Sequence, residues 1–236
     1  MTSSQEKIIN NLGNLEKNLN YKFKDIALLL TALTHSSFAN ESKKGLKSNE
    51  RLEFLGDSVL SIVVSEYIFK NYPELKEGQL SKLRANLVCE KTICKFSKKL
   101  DVGSFLLLSH GERNGNGANR DSMLADAFEA IVAAIYLDGG LSEAKNFILK
   151  FVKAEISSRS DFLVNDYKTI LQEIVQKNKG ETISYLLVEE TGPAHNKFFK
   201  MEAKINSNKI GVGFGKSKKE AEQMAAKEVL KLMGYF

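Results

Sequence analysis

The sequence predicts a two-domain protein in which an all-α domain is followed by a smaller α+β domain of order αβββα. Up to residue 157, apolar residues recur at helical spacing, and no convincing strand is found. Further on, the apolar period changes to two and then returns to helical spacing, which is typical of a sheet flanked by helices. A polar segment separates the two patterns. We therefore place the all-α domain at residues 5–157, a linker at 158–164 and the second domain at 165–234.

Composition limits the class of protein. A length of 236 residues and a hydrophobic fraction of 43% allow one large or two modest cores, and a net charge of +5 permits nucleic-acid binding without proving it. Cys89 and Cys94 fit no zinc-binding pattern and are expected to be reduced thiols. The first 20 residues lack the apolar segment of a secretory signal, and no apolar run reaches membrane-spanning length. We expect a cytoplasmic protein.

The N-terminal part of the all-α domain contains two predicted short helices, at residues 5–19 and 25–33. The segment Thr34-His35-Ser36-Ser37 follows them. His35 is a candidate for catalysis, but no nearby cysteine or acid completes a triad with it, so a hydrogen-bonded structural histidine is favoured. Residues 41–48, with one glycine and three lysines, are predicted to form a loop.

A helix with an acidic stripe is predicted from Asn49 to near Pro73. Glu50, Glu53 and Asp57 stand at positions i, i+3 and i+7, which places them within a sector of about 60° on one face. Much of the remaining surface of this helix is apolar. Carboxylates on such a helix are costly unless solvent, basic side chains or a divalent cation neutralise them.

A second predicted helix, residues 121–137, is the most apolar in the chain and also carries acids. Asp126 and Glu129, at positions i and i+3, lie within its hydrophobic run, and no cationic residue lies within a turn of either. Four carboxylates that face one another from two helices cannot all stay ionised without cations between them. Sites built only from oxygen ligands suit Mg²⁺ or Mn²⁺ rather than Zn²⁺.

The segments around the second acidic helix have weaker patterns. Residues 111–119 contain three glycines and three asparagines but lack the Gly-Lys-Ser/Thr ending of a P-loop, so we predict a flexible loop without a phosphate-binding role. Gly139 and Gly140 are predicted to end the acidic helix. The other predicted elements are a turn at 74–79 and helices at 80–89, 91–100 and 141–156.

The second domain begins with a predicted helix at residues 166–178. Ser217 and Glu220 form a predicted capping box at the start of a final helix, and lysines gather at this helix N-terminus, where both the backbone amides and the side chains favour phosphate. The three predicted strands between the helices cover residues 184–190, 199–205 and 209–214.

Residues Glu50 to Ser58, with the sequence ERLEFLGDS, resemble the signature of the ribonuclease III family. The segment from Asp126 to Glu129 resembles that family's second acidic motif, and residues 32–37 and 83–88 resemble two further family blocks. The αβββα order with its lysine-bearing helix N-terminus resembles a double-stranded-RNA-binding domain. Together the resemblances cover nearly all of the chain and point to the short bacterial form, with one endonuclease domain and one RNA-binding domain.

The resemblance implies an endoribonuclease that cleaves double-stranded RNA by Mg²⁺-dependent phosphodiester hydrolysis, with Mn²⁺ able to substitute. Members of the family leave 5′-phosphate and 3′-hydroxyl ends with 3′ overhangs, and they process ribosomal RNA precursors and other structured transcripts. They also work as homodimers through the endonuclease domain. Phe54 would then fill a pocket of the partner subunit, whereas the alternative is ordinary core packing.

The resemblance also implies roles for individual residues. Glu53, Asp126 and Glu129 are expected to bind the metal. Asp57 and Glu129 are expected to be catalytic, with Asp57 acting through a metal-bound water either as ligand or as base. The other expected roles are cleft lining for Glu50 and Glu77, minor-groove contacts for Gln172, Glu173 and His195, and phosphate contacts for Lys216, Lys218 and Lys219.

Two other functions are compatible with parts of the sequence. A protein that binds structured RNA without cutting it would need the second domain only, but here all four acids are present. An all-α, Mg²⁺-dependent nucleotide pyrophosphohydrolase also has acids at helical spacing, but it would not need an RNA-binding domain. An assay of RNA cleavage with and without a chelator distinguishes the first alternative from a metal-dependent nuclease. Turnover of free nucleoside triphosphates would support the second alternative.

Overall fold

The computed structural model describes residues 11–42, 45–158, 167–177, 180–193, 197–206 and 208–235. The chain divides into two compact units, Met1–Arg159 and Ser160–Phe236. Apart from Ser158, the predicted linker lies outside the described residues, as do residues 5–10 of the first predicted helix. Within the described ranges, no helix has the length and apolar character needed to cross a membrane.

The first unit is built from helices, which confirms the predicted all-α domain. Its only strand-like contact among the described residues is an isolated parallel bridge between Thr34 and Leu107. Two 3₁₀ turns, Val102–Phe105 and Gly117–Asn119, connect the longer elements. The helices are α1 (Leu12–Leu19), α2 (Ile26–Ala32), α3 (Ser36–Glu41), α4 (Glu50–Asn71), α5 (Glu77–Val88), α6 (Glu90–Lys99), α7 (His110–Asn114) and α8 (Asp121–Ser158).

Helix α8 is the centre of this unit. Residues 130–135 are fully buried, and α4 packs along the helix. Gly140 has φ 84° and ψ 177°, so the backbone leaves the helical conformation at the position where an end was predicted and then resumes it. An aromatic cluster fixes this second half against α6, with ring centroids 5.3–5.7 Å apart among Phe96, Phe128, Phe147 and Phe151.

Two predictions in the first unit are wrong. The expected flexible loop at residues 111–119 forms most of α7 and a 3₁₀ turn, because the Ser109 side chain accepts a hydrogen bond from the Glu112 amide and caps α7. The expected turn at residues 74–79 ends earlier, because α5 begins at Glu77, where the Gln79 side chain accepts from the Lys76 amide. Side-chain capping therefore converts segments with turn-like composition into helix starts.

The second unit has the predicted αβββα order. Its three strands form an antiparallel sheet in the order β1-β2-β3, with a bulge between Leu187 and Glu189. One sheet face packs on the final helix, where Gly211, Gly213 and Gly215 allow close approach of its backbone. The elements are α9 (Tyr167–Gln176), β1 (Ile183–Thr191), β2 (Phe198–Ile205), β3 (Asn208–Gly215) and α10 (Lys218–Leu232).

Candidate active site and RNA-binding surface

Close packing of α4 on α8 brings the two acidic motifs together. Gly56 is buried in α4, and a Cβ atom at this position would overlap the backbone carbonyl oxygen of Glu129 in α8. The missing side chain therefore lets the two helix backbones touch between Glu53 and Asp57 on one side and Glu129 on the other. Asp126 lies one turn earlier on α8.

The four carboxylates interact electrostatically. Burial raises the pKa of Glu129 to about 8, and the charges of Asp57, Glu53 and Asp126 add to this increase. Burial also raises the pKa of Glu53, with further contributions from Asp126, Glu50 and Asp57. Neighbouring carboxylates thus oppose the ionisation of Glu53 and Glu129, as expected for acids that share one site.

A divalent cation fits the chemistry of this group. The donors are carboxylate oxygens, which Mg²⁺ and Mn²⁺ prefer, and positive charge between them would remove the repulsion that raises the pKa of Glu129. Among the residues that the structure describes, no three His, Cys, Asp or Glu side chains form a complete metal-binding cluster. The fit of a cation to this group therefore rests on the chemistry of the donors and on the raised pKa of Glu53 and Glu129.

The two predicted cleft residues lie in different surroundings. Glu50, at the start of α4, accepts a hydrogen bond of 3.1 Å from Ser48, and its charge raises the pKa of Glu53, so it borders the acidic group. Glu77, at the start of α5, accepts a bond of 2.8 Å from Ser81 and lines a separate groove. It is not among the charges that raise the pKa of Glu53, Asp126 or Glu129.

The sequence did not indicate that Glu90 and His35 lie near Asp126. Burial raises the pKa of the Asp126 carboxyl, the charge of Glu90 raises it further, and His35 lowers it. Glu90 begins α6 and belongs to no motif, so only the folded chain reveals its position. His35 carried a signal, its place in the segment Thr34 to Ser37, but nothing in the sequence linked it to Asp126.

Phe54 does not pack into the core of its own unit, because its side chain is 79% exposed. Ile62 and Phe69, further along the same helix, are 58% and 70% exposed. Ile62 and Phe69 line a groove of about 600 Å³ together with residues of α5, including Leu80 and Arg84. Helix α4 thus has apolar side chains both toward the core and toward solvent.

The predicted RNA-binding residues of the second unit are on its surface where the structure describes them. Gln172 and Glu173 are exposed on α9. Ser217 caps α10 by accepting a bond of 3.1 Å from the Glu220 amide, while Glu220 accepts from the Lys216 amide. This differs from the predicted capping box only in the amide that Glu220 binds. Lys216, Lys218 and Lys219 are exposed at this helix start, and His195 lies outside the described residues.

Both units match known families. Residues 25–156 match the Ribonuclease-III-like family model, and residues 167–233 match the double-stranded RNA binding motif. The chain is 53% identical over 224 residues to Ribonuclease 3 of Caldanaerobacter subterraneus subsp. tengcongensis, covering 94% of this chain and 98% of that protein. It is 48% identical over 223 residues to Ribonuclease 3 of Clostridium tetani, covering 94% of each.

The first unit also resembles a solved structure. The nuclease domain of ribonuclease III from Campylobacter jejuni, described for structural flexibility in a region involved in dimer formation, is 46% identical with a TM-score of 0.58. The match covers 62% of this chain and 99% of that domain. It therefore supports the helical arrangement that holds the four acids.

Proposed function

The chain belongs to the ribonuclease III family, and from this premise we propose that it hydrolyses double-stranded RNA with Mg²⁺ as its cofactor and Mn²⁺ as a substitute. The observation that carries the metal requirement is that burial, together with the charges of the other three carboxylates from α4 and α8, raises the pKa of Glu129 to about 8. Without a cation, at least one of these acids would hold a proton at neutral pH.

Each carboxylate has a proposed role. Glu53, Asp126 and Glu129 hold the metal, and Glu129 is also catalytic because it is the acid on which the other three act. When bound, divalent cations lower the pKa of water and stabilise charge on phosphate oxygens. Asp57, which is exposed beside them, orients the attacking water and accepts its proton on a carboxylate oxygen. Glu50, which borders the acidic group, and the more distant Glu77 line the path of the RNA.

The reaction follows from this assignment. The water oxygen forms a bond to phosphorus, the bond from phosphorus to the 3′ oxygen breaks, and the 3′ oxygen takes up a proton. The products are a 5′-phosphate and a 3′-hydroxyl. Because the relatives are bacterial ribonucleases, we propose that the substrates are ribosomal RNA precursors and other structured transcripts in the cytoplasm.

We propose a homodimer formed by the first unit. Exposed apolar side chains on α4 need cover, and a two-fold contact lets the same surface serve both subunits. Phe54 of the partner subunit would enter the groove lined by Ile62, Phe69 and Leu80, and the reverse contact would form by symmetry. Phe54→Glu should shift the protein to monomers in sedimentation, whereas Ile26→Glu, at an exposed apolar residue of α2, should not. A dimeric Phe54→Glu protein would contradict this interface.

The second unit would supply affinity for duplex RNA. Lys216, Lys218 and Lys219 would contact phosphates at the start of α10, and Gln172 and Glu173 would meet 2′-hydroxyls in a minor groove. His195 is assigned to the next minor groove. These contacts recognise the shape of an A-form helix rather than a base sequence, so duplexes of unrelated sequence should bind alike.

One assay distinguishes the proposed function from its alternatives. Long duplex RNA, the matching single strand and free nucleoside triphosphates are each incubated with the protein in Mg²⁺ and in excess chelator. We expect fragments from the duplex only, in Mg²⁺ only, with ends that a 5′-phosphate-dependent exonuclease degrades. Binding without cleavage would indicate an RNA-binding protein, and triphosphate turnover without RNA cleavage would indicate a pyrophosphohydrolase.

A further inference from the structure

The start of α9 is bonded to α10 through two polar contacts of one residue, Lys168. Its ammonium Nζ donates to Glu222 Oε2 at 2.7 Å, and its backbone amide donates to Gln223 Oε1 at 3.1 Å. The side chains of Lys168 and Glu222 are 34% and 24% exposed, so salt screens this ion pair less than a pair on the open surface. The first turn of α9 is therefore joined to the second turn of α10.

The same ammonium group also contacts the sheet. Nζ of Lys168 lies 4.6 Å from the centre of the Tyr185 ring in β1, within the range of a cation–π interaction. Leu171 of α9 shares a buried apolar core with Ala225 and Ala226 of α10, so the two helices are also held by packing. Because apolar packing is non-directional and hydrogen bonds are directional, the bonds of Lys168 determine where α9 begins against α10.

Helical spacing relates the Lys168–Glu222 ion pair to the proposed RNA contacts. Lys168 stands four residues before Gln172 on α9, and Glu222 stands four residues after Lys218 on α10. Residues at this spacing are neighbours on one helix face, with Cβ atoms about 5–6 Å apart. The ion pair therefore lies one turn from a proposed minor-groove contact on α9 and one turn from a proposed phosphate contact on α10.

We propose that Lys168 is a positioning residue for duplex RNA, because its bond to Glu222 holds the α9 face that carries Gln172 at a fixed distance from the start of α10. This inference rests on the proposed RNA-binding surface of the second unit. Domains of this type contact two successive minor grooves and the phosphates between them, so the separation of their contact groups must match the A-form helix. Lys168 acts without touching the RNA, because Glu222 already binds its ammonium group.

Removal of Glu222 distinguishes positioning from simple electrostatic attraction. Glu222→Ala deletes an acidic charge, so electrostatics alone predicts tighter RNA binding, whereas a loss of positioning predicts weaker binding. Glu228→Ala, at an exposed acid of the same helix, makes the same change in charge and is the control. Fluorescence anisotropy of a labelled duplex gives the dissociation constant of each full-length protein, in excess chelator to prevent cleavage. Thermal unfolding shows that each protein is folded at the temperature of the binding assay.

We expect Glu222→Ala to bind the duplex about 5-fold more weakly than wild type, within the range for residues in direct contact. Glu228→Ala should bind at least as tightly as wild type.

Lys168→Met should show a similar loss with no change in the slope of log affinity against log salt, because no phosphate contact is removed. Lys168→Arg, which keeps the charge that faces Glu222 and the Tyr185 ring, should bind nearly as wild type does. Wild-type or tighter binding by Glu222→Ala would overturn the proposal. A slope for Lys168→Met that is smaller by about 0.7–0.9 would also overturn it, because Lys168 would then contact a phosphate directly.

A variant in which glutamine replaces Lys216, Lys218 and Lys219 distinguishes this failure from failure of the proposed RNA-binding surface. If this triple variant binds duplex RNA as wild type does, the surface is elsewhere, and the role of Lys168 falls with it. If the triple variant loses affinity while Glu222→Ala and Lys168→Met do not, only the role of Lys168 is wrong. We expect the double variant of Lys168→Met and Glu222→Ala to bind no more weakly than either single variant, because both substitutions remove the same interaction.

Discussion

The Cα atom of Gly56 in α4 faces the backbone carbonyl of Glu129 in α8, with no room between them for a methyl group. This contact determines how closely the two acidic motifs approach. Burial raises the pKa of Glu129 to about 8, and the charges of Asp57 and Glu53, on either side of Gly56 in α4, add to this increase. The close packing at Gly56 therefore also brings the acids of α4 near enough to Glu129 to affect its pKa.

Gly56→Ala should separate the two helices and lower both stability and cleavage. Overpacking of this kind costs about 1–3 kcal/mol, which outweighs the helix propensity that alanine adds. Urea unfolding without metal and cleavage at saturating Mg²⁺ would measure the two effects. Gly13→Ala is the control, because a Cβ at this exposed helical position meets nothing within 4 Å and should cause no loss. Wild-type stability of Gly56→Ala would show that α4 and α8 can move apart freely.

Glu129→Gln should abolish cleavage and leave duplex binding in Mg²⁺ nearly intact. The substitution keeps the size of the side chain but removes the charge that is most strongly coupled to the other acids. Gel mobility shift and cleavage of the same labelled duplex provide both readouts. Glu143→Gln, at an exposed acid on α8 beyond the kink, serves as the control and should cut normally. Cleavage by Glu129→Gln within a few-fold of wild type would show that the metal site is elsewhere.

The raised pKa of Glu129 makes metal-free stability depend on pH. Between the ordinary value of 4.5 and about 8, the folded state holds a proton that the unfolded state has released. The contribution of Glu129 to the free energy of unfolding is therefore fully present below pH 4.5 and is lost as pH rises toward 8. We expect the unfolding temperature without metal to fall over this range more in wild type than in Glu129→Gln, and Mg²⁺ to bind more tightly as pH rises. Equal pH profiles of the two proteins would contradict the assignment.

The order of elements and the acidic helices could be predicted from sequence because they depend on local patterns. Glu53, Asp57, Asp126 and Glu129 stand out since each interrupts an apolar helical face. The loop predicted at residues 111–119 was wrong because composition does not reveal that Ser109 caps a helix there.

The relations around Asp126 could not be predicted. They depend on two separate segments, those of Glu90 and His35, which only the fold brings near this carboxyl. Glu90 begins α6 and the Thr34–Leu107 bridge fixes His35, so both are close to Asp126 only after tertiary packing. Phe54 was expected at an interface by resemblance, but its exposure depends on the depth at which α4 packs, which sequence does not give.

Replacing Lys216, Lys218 and Lys219 with glutamine should weaken duplex binding and make it depend less steeply on salt. Each phosphate contact contributes roughly 0.7–0.9 to the slope of log affinity against log salt, so the slope should fall by about 2–3. Fluorescence anisotropy of a labelled duplex over a salt series would measure it. A triple variant of Lys17, Lys22 and Lys231, which are also exposed, matches the change in charge and should leave the slope nearly unchanged. Equal slopes for the two variants would show that the start of α10 is not a phosphate contact.

The proposed dimer predicts how many strands of an RNA duplex each subunit cuts. Each first unit carries one complete set of Glu53, Asp57, Asp126 and Glu129, and a two-fold dimer matches the pseudo-two-fold symmetry of an RNA duplex. Each subunit would therefore cut one strand, and the offset between the cuts would leave 3′ overhangs. A heterodimer of one wild-type and one Glu129→Gln subunit should nick a single strand.

Purification through two different tags isolates this heterodimer, and separate end labels on the two RNA strands report each cut. The wild-type dimer carrying the same tags should cut both strands, which controls for the tags themselves. If the heterodimer cuts neither strand, acids from both subunits must form one shared site. If it cuts both strands in a single binding event, one set of carboxylates must reach across the duplex. A nick in one strand follows only from two separate sites, each held together by the contact between Gly56 and Glu129 within its own subunit.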